Sequence, residues 1–152
     1  MRMDRDRRFR LLGFWSGAVV LAAVIAPGCG GGSPYEIMPV TGKLTYSDGS
    51  LVPADQIRVT FVPQAEAIDQ KTNARPGIAY LDEETGEFTS MTTSKYGDGA
   101  TVGKNKVQII GTDENRQPSK AIPRKYADPA TSDLEVEVGP GKTHFELRID
   151  RP

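Results

Sequence analysis

Apolar residues recur at every second position in four stretches of this chain. Val40, Gly42, Leu44 and Tyr46 alternate with Thr41, Lys43 and Thr45, and Ile57, Val59 and Phe61 alternate with Arg58 and Thr60. Leu134, Val136 and Val138 are spaced by Glu135 and Glu137; Phe145, Leu147 and Ile149 are spaced by Glu146 and Arg148. A period of two turns one set of side chains to a core and the other to water, so each stretch predicts a half-buried strand. Segments 78–81, 88–92 and 106–110 add three shorter strands, which makes seven. Helical spacing is nearly absent.

The turn chemistry agrees. Asp48-Gly49, Thr85-Gly86 and Gly139-Pro140-Gly141 are turn or hairpin signals between strands, and Gly97-Asp98-Gly99 interrupts the chain before the fifth strand. Seven short strands with polar outer faces predict an all-β fold, a seven-stranded antiparallel β-sandwich of two sheets. No internal repeat is present, and no βαβ alternation that would suggest a nucleotide-binding fold. Two connections, 64–75 and 112–133, exceed the usual few residues. Loops of that size are functional or loosely ordered. In the second, Ile122 and Tyr126 are expected to fold back over the end of the core, with a ligand-facing loop as the alternative.

The N-terminus has a different pattern. Arg2, Arg5, Arg7, Arg8 and Arg10 outweigh Asp4 and Asp6, and residues 11–26 are 16 positions without charge. That is the form of a signal segment, and it falls short of the ~30 Å hydrocarbon core that a permanent span must cross. Small residues follow, then Gly28 and Cys29, the only cysteine. The arrangement resembles a bacterial lipoprotein signal in which Cys29 is cut free and acylated, although Ala26 stands where such signals prefer Leu and Pro27 is unusual. The alternatives are an ordinary secretory signal cut just before Cys29, an uncleaved anchor, and, for Cys29 itself, a free or intermolecular thiol. The expected organisation is a signal peptide at 1–28, a lipidated cysteine and flexible tether at 29–38, and a β domain at 39–152. This places the domain outside the cytoplasmic membrane, periplasmic or at the outer cell surface.

Charge then narrows the partners. The leader removes five arginines and two aspartates from 19 basic and 20 acidic residues, which leaves 14 and 18, a net charge of −4 on 124 residues. Nucleic acid needs clustered Lys and Arg, so it is not an expected partner. With no further cysteine to staple the fold, stability must come from an apolar core at ~1.5–3 kcal/mol per buried large side chain.

Several short motifs together carry a resemblance. Val40-Thr41-Gly42 with Asp48-Gly49, Val59-Thr60-Phe61-Val62-Pro63, Gly97-Asp98-Gly99-Ala100 and Ile122-Pro123-Arg124-Lys125-Tyr126-Ala127-Asp128-Pro129 follow the lipoprotein-like leader in this order. The chain resembles the small planctomycete lipoproteins with a transthyretin-like, or carboxypeptidase regulatory-like, domain. That resemblance implies a prealbumin-type sandwich and no established catalytic residues. Gly103-Lys104-Asn105 departs from the usual Gly-x-Tyr or Gly-x-His, and the turn at 82–86 is longer than the family's.

Candidate chemistry is sparse. His144 is the only histidine and falls on the wet face of the last strand, with no nucleophile elbow beside it. One His and one acylated Cys do not make a zinc site. Asp82, Glu83, Glu84 and Glu87 surround one turn but lack calcium-loop spacing. Gly97-Asp98-Gly99 lacks the Lys and helix of a phosphate cradle and reads as a turn. No catalytic residue, cofactor or metal is expected. Tyr96 and Tyr126 are the loop aromatics and the candidate ligand or partner contacts. The leading expectation is a non-catalytic envelope module that contacts membrane lipid through Cys29 and another envelope protein or a surface polysaccharide. The alternative is a carbohydrate- or small-ligand-binding module.

Overall fold

The computed structural model describes residues 33–152; the leader, Cys29 and the start of the tether lie outside the described residues. The domain is all-β. Its strands in chain order are β1 (Ile37–Met38), β2 (Thr41–Tyr46), β3 (Asp55–Pro63), β4 (Gly77–Tyr80), β5 (Glu87–Phe88), β6 (Ala100–Thr101), β7 (Gly103–Thr112), β8 (Glu135–Val138) and β9 (His144–Ile149). They form a three-stranded sheet in the order β5-β2-β9, a four-stranded sheet in the order β4-β3-β7-β8 and a small β1-β6 ribbon. Among the described residues no helix is long and apolar enough to cross a membrane.

Seven of the nine strands overlap the expected segments, β5 only at Phe88, and two-residue β1 and β6 are additional. A pair that short has no period to detect. One expectation is corrected: the pairing is not wholly antiparallel. β2 and β9 run parallel, from Thr41 opposite His144 to Tyr46 opposite Ile149. A parallel pair needs a long crossover, and here the entire intervening chain supplies it. The C-terminus then closes on the first turn. Arg151 donates to the Asp48 carboxylate at 3.0 Å and lies 4.4 Å over the Tyr46 ring. Hydrogen bonds from the Ser50 hydroxyl and N–H, together with Arg151, hold the Asp48 pKa at about 2.

Both larger sheets fill one core. Leu44 and Tyr46 of β2, Phe88 of β5, and Leu147 and Ile149 of β9 meet Ile57, Val59 and Phe61 of β3, Val107 and Ile109 of β7, and Val138 of β8. Phe61 stands edge-on to Phe88 at 6.1 Å and to Phe145 at 5.5 Å between ring centroids. All three short turn signals, after β2, after β4 and after β8, carry the chain from one sheet to the other. The two long connections instead join neighbours in the same sheet, β3 to β4 and β7 to β8. Loop 64–75 is tied down by Tyr35, whose hydroxyl shares its one proton between the Glu66 and Thr72 carbonyls, at 3.0 and 3.1 Å, and accepts from Ile68 N–H.

The expected strand 88–92 is shorter than the alternation suggested. Phe88 pairs with Gly42 in the three-stranded sheet, whereas Thr92 bridges to Ile78 at the edge of the four-stranded one. The segment changes sheets within five residues, so it cannot keep a continuous ladder with either.

Candidate functional site

That change of sheets opens a cleft beside β4. Leu81 N–H donates to the Ile57 carbonyl, so Gly77, Ala79 and Leu81 turn their peptide groups toward β3 while Ile78 and Tyr80 turn theirs outward. Ile78 satisfies its outward groups in a reciprocal pair with Thr92, at 2.9 and 2.8 Å. Farther along, Asp82 N–H donates to the Glu87 carbonyl at 2.8 Å. Between those two closures Tyr80 faces Ser90, and no backbone hydrogen bond joins them. The gap is a cleft of about 470 Å³ lined by Tyr80, Glu87, Thr89, Ser90 and Tyr96, with the turn residues Asp82 and Thr85 at one end.

Both tyrosines stand in water. Tyr80 is 64% exposed because alternation in β4 sends Gly77 and Ala79 inward and Ile78 and Tyr80 out. Tyr96 is 88% exposed, on a loop whose backbone is firmly held. The Asp98 carboxylate accepts the N–H groups of Thr93, Ser94 and Lys95 at 2.7, 3.0 and 2.8 Å, and Gly97 N–H donates to the Thr92 hydroxyl. Gly97-Asp98-Gly99 is therefore a turn, as expected, and Asp98 is its clasp. Gly99 sits at φ +106, and its N–H bonds to the Met91 carbonyl. A side chain there would run into the Met38 carbonyl.

Burial alone would raise the Asp98 pKa, but the hydrogen bonds from Thr93, Lys95 and Ser94 outweigh it and hold the carboxyl below its ordinary 3.8. With a folded pKa below the unfolded one, its stabilisation is complete above the unfolded value and is lost as pH falls through the folded value. Asp98→Ala is expected to cost ~1–2 kcal/mol at neutral pH. The gap between the urea midpoints of the two proteins should close as pH falls below the ordinary carboxylate pKa. A gap that stays constant on acidification would count against the clasp.

The second loop aromatic requires a correction. Tyr126 is only 2% exposed and offers no face to a ligand. It lies in a 3-10 turn, Arg124–Ala127, and covers the core with Ile122, the bland role expected for that loop. Its hydroxyl bonds the Asp150 carboxylate at 3.3 Å and accepts Asp150 N–H at 3.2 Å. Lys125 bridges Asp133 and Asp150 at 2.7 and 2.8 Å and sits 4.7 Å over the Tyr126 ring. Hydrogen bonds to Asp133 and Asp150 raise the Lys125 pKa, and Lys125 lowers that of Asp150. Ser132 is buried and donates to the Val107 carbonyl at 2.6 Å. The Ile122-to-Pro129 motif thus clasps β7 through Gln108 and the chain just past β9 through Asp150.

The other candidates are likewise absorbed locally. His144 is exposed, with its ring nitrogens 3.0 Å from the Thr41 hydroxyl and 3.2 Å from the Glu146 carboxylate. Asp82 caps its own turn, accepting Glu84 and Thr85 N–H groups at 3.0 and 2.9 Å, which lowers its pKa through Thr85 first. Glu83 accepts Gln56 N–H. Among the described residues no group of three or more His, Cys, Asp or Glu is placed to hold a metal ion. Asn105, at the position of the departure from Gly-x-Tyr, is buried and donates to the Thr101 and Gly103 carbonyls, both at 2.9 Å.

Tyr80 was not legible as a site residue, because Ile78-Ala79-Tyr80-Leu81 is apolar throughout and only the folded sheet turns Ile78 and Tyr80 outward on an edge strand. Its proximity to Tyr96 was not legible at all, because it depends on the sheet change at 88–92. Fold and site together define an all-β domain with a tyrosine-rimmed cleft at a sheet edge. No family model, no curated protein and no solved structure matches this chain.

Proposed function

We propose that this protein is a non-catalytic, lipid-anchored extracytoplasmic module, akin to the small planctomycete-type lipoproteins with a transthyretin-like domain that it resembles. In this reading the strands of its two larger sheets make a prealbumin-type sandwich, and acylated Cys29 holds it to membrane lipid at the cell envelope. The observation that carries it is the order of the leader: a basic start, 16 uncharged residues, and Cys29 at their end. Strand β1 begins at Ile37, so the sulfur is tethered to the domain by a chain that reaches at most about 25–30 Å. Several acyl chains on one cysteine give a stable hold that a single chain does not. The partner is another envelope protein or a surface polysaccharide.

Intact-mass spectrometry of the protein isolated from native membranes tests the anchor. The expected species begins at Cys29 and carries acyl mass. A polypeptide that begins at Met1 with a free thiol would overturn the reading. A second reading, a carbohydrate- or small-ligand-binding module, is favoured by the exposed Tyr80 and Tyr96 rings on one cleft.

A further inference from the structure

We propose that the Tyr80–Tyr96 cleft binds an uncharged hexose unit of a polysaccharide. This rests on the carbohydrate-binding reading and is independent of the lipid anchor. Three features of the cleft point to that chemistry.

The first is a pair of aromatic rings in water on one cleft, where each leaves apolar surface uncovered at a cost. Tyr96 in particular is carried on a loop whose backbone is held by Asp98 and the Thr92 hydroxyl, so binding it need not order the loop. A pyranose presents a C–H face that matches such a ring, and hydroxyls around its rim. The second feature is a set of polar groups suited to those hydroxyls. Thr89 and Ser90 offer hydroxyls, Glu87 offers a carboxylate, and the Tyr80 N–H and C=O point outward without a backbone partner. At about 470 Å³ the cleft falls within the ~300–1,000 Å³ of small-molecule sites.

The third feature excludes competing occupants. An extended peptide adding to the β4 edge needs a run of free backbone groups. Here the Ile78–Thr92 and Asp82–Glu87 bonds close the edge on both sides of Tyr80, which leaves one residue pair open. Asp82 and Glu87 line the cleft, and no Lys or Arg does, so uronic, sulfated or phosphorylated sugars are repelled. The groove under the proline-rich loop, lined by Ile109, Ile110, Ile122 and Pro123, lacks any aromatic ring.

Native gel electrophoresis of the detergent-solubilised full chain through gels containing soluble glucan, mannan or galactan tests the assignment, with alginate and chitosan gels as charged counterparts. At least one neutral polymer is expected to retard the protein. Tyr96→Ala and Tyr80→Ala should each weaken that retardation about tenfold, the loss of one stacked ring. Both side chains are exposed, so both variants should keep the native circular dichroism spectrum. Ile68→Ala, an exposed apolar change in the 64–75 loop, should retard like the native chain. The assignment is overturned by no retardation in any neutral gel, by retardation that both tyrosine variants preserve, or by retardation in alginate or chitosan alone. Because the readout is indifferent to acylation, a failed anchor and a failed sugar site give different results.

Discussion

Gly42→Ala is expected to be among the most damaging conservative changes in the domain, with a loss of ~3 kcal/mol or more. The direction is opposite to the usual one. Alanine is normally favoured over glycine in a strand by about 0.5–1 kcal/mol. At this position β2 runs between β5 and β9, and Gly42 is opposite both Phe88 and Phe145. An added Cβ would lie 2.5 Å from Phe88 Cζ and closer still to the Phe145 carbonyl oxygen. The ring is fully buried and the carbonyl belongs to the parallel ladder, so neither has room to yield. Urea denaturation followed by circular dichroism measures the effect. A loss under ~1 kcal/mol would mean that the Phe88 ring does not occupy the missing side-chain position.

Phe61→Ala should cost ~3–5 kcal/mol, the range for an aromatic removed from a packed core. Phe61 is fully buried on β3, and its edge-on contacts with Phe88 and Phe145 reach across to the other sheet. Its removal therefore leaves a cavity between layers that hydrogen bonds within either sheet do not close. Phe145→Ala should cost less, because Phe145 is half-buried and gives up less contact. Equilibrium urea midpoints for the two variants test the order, and a Phe145 effect equal to or above that of Phe61 would contradict this account of the core.

The difference between the two long loops shows where sequence reasoning stops. Prolines, length and polarity marked 112–133 as functional or loose, its motif carried part of the family resemblance, and Ile122 and Tyr126 were expected to cover the core. In the folded chain Tyr126 and Ile122 are buried, while Lys125 joins Asp133 to Asp150. Asp150 is 25 residues from Lys125, and nothing in the local pattern couples them. Tyr96 was legible as a loop aromatic, but a neighbour on another strand was needed to make a cleft of it. Asp98 read as part of a turn, and its three backbone partners follow from the turn once folded.

Alternation by itself determined the all-β class and, in the four clearly alternating stretches, which side faces the core; the leader set the expected address of the chain. Those properties are local: a residue's face depends on its immediate neighbours and on whether its side chain prefers water. Strand order, the parallel β2–β9 pair, the sheet change at 88–92 and the cleft it opens were decided only in three dimensions. Each depends on which distant segment supplies the hydrogen-bond partner, and an alternating pattern is equally satisfied by many.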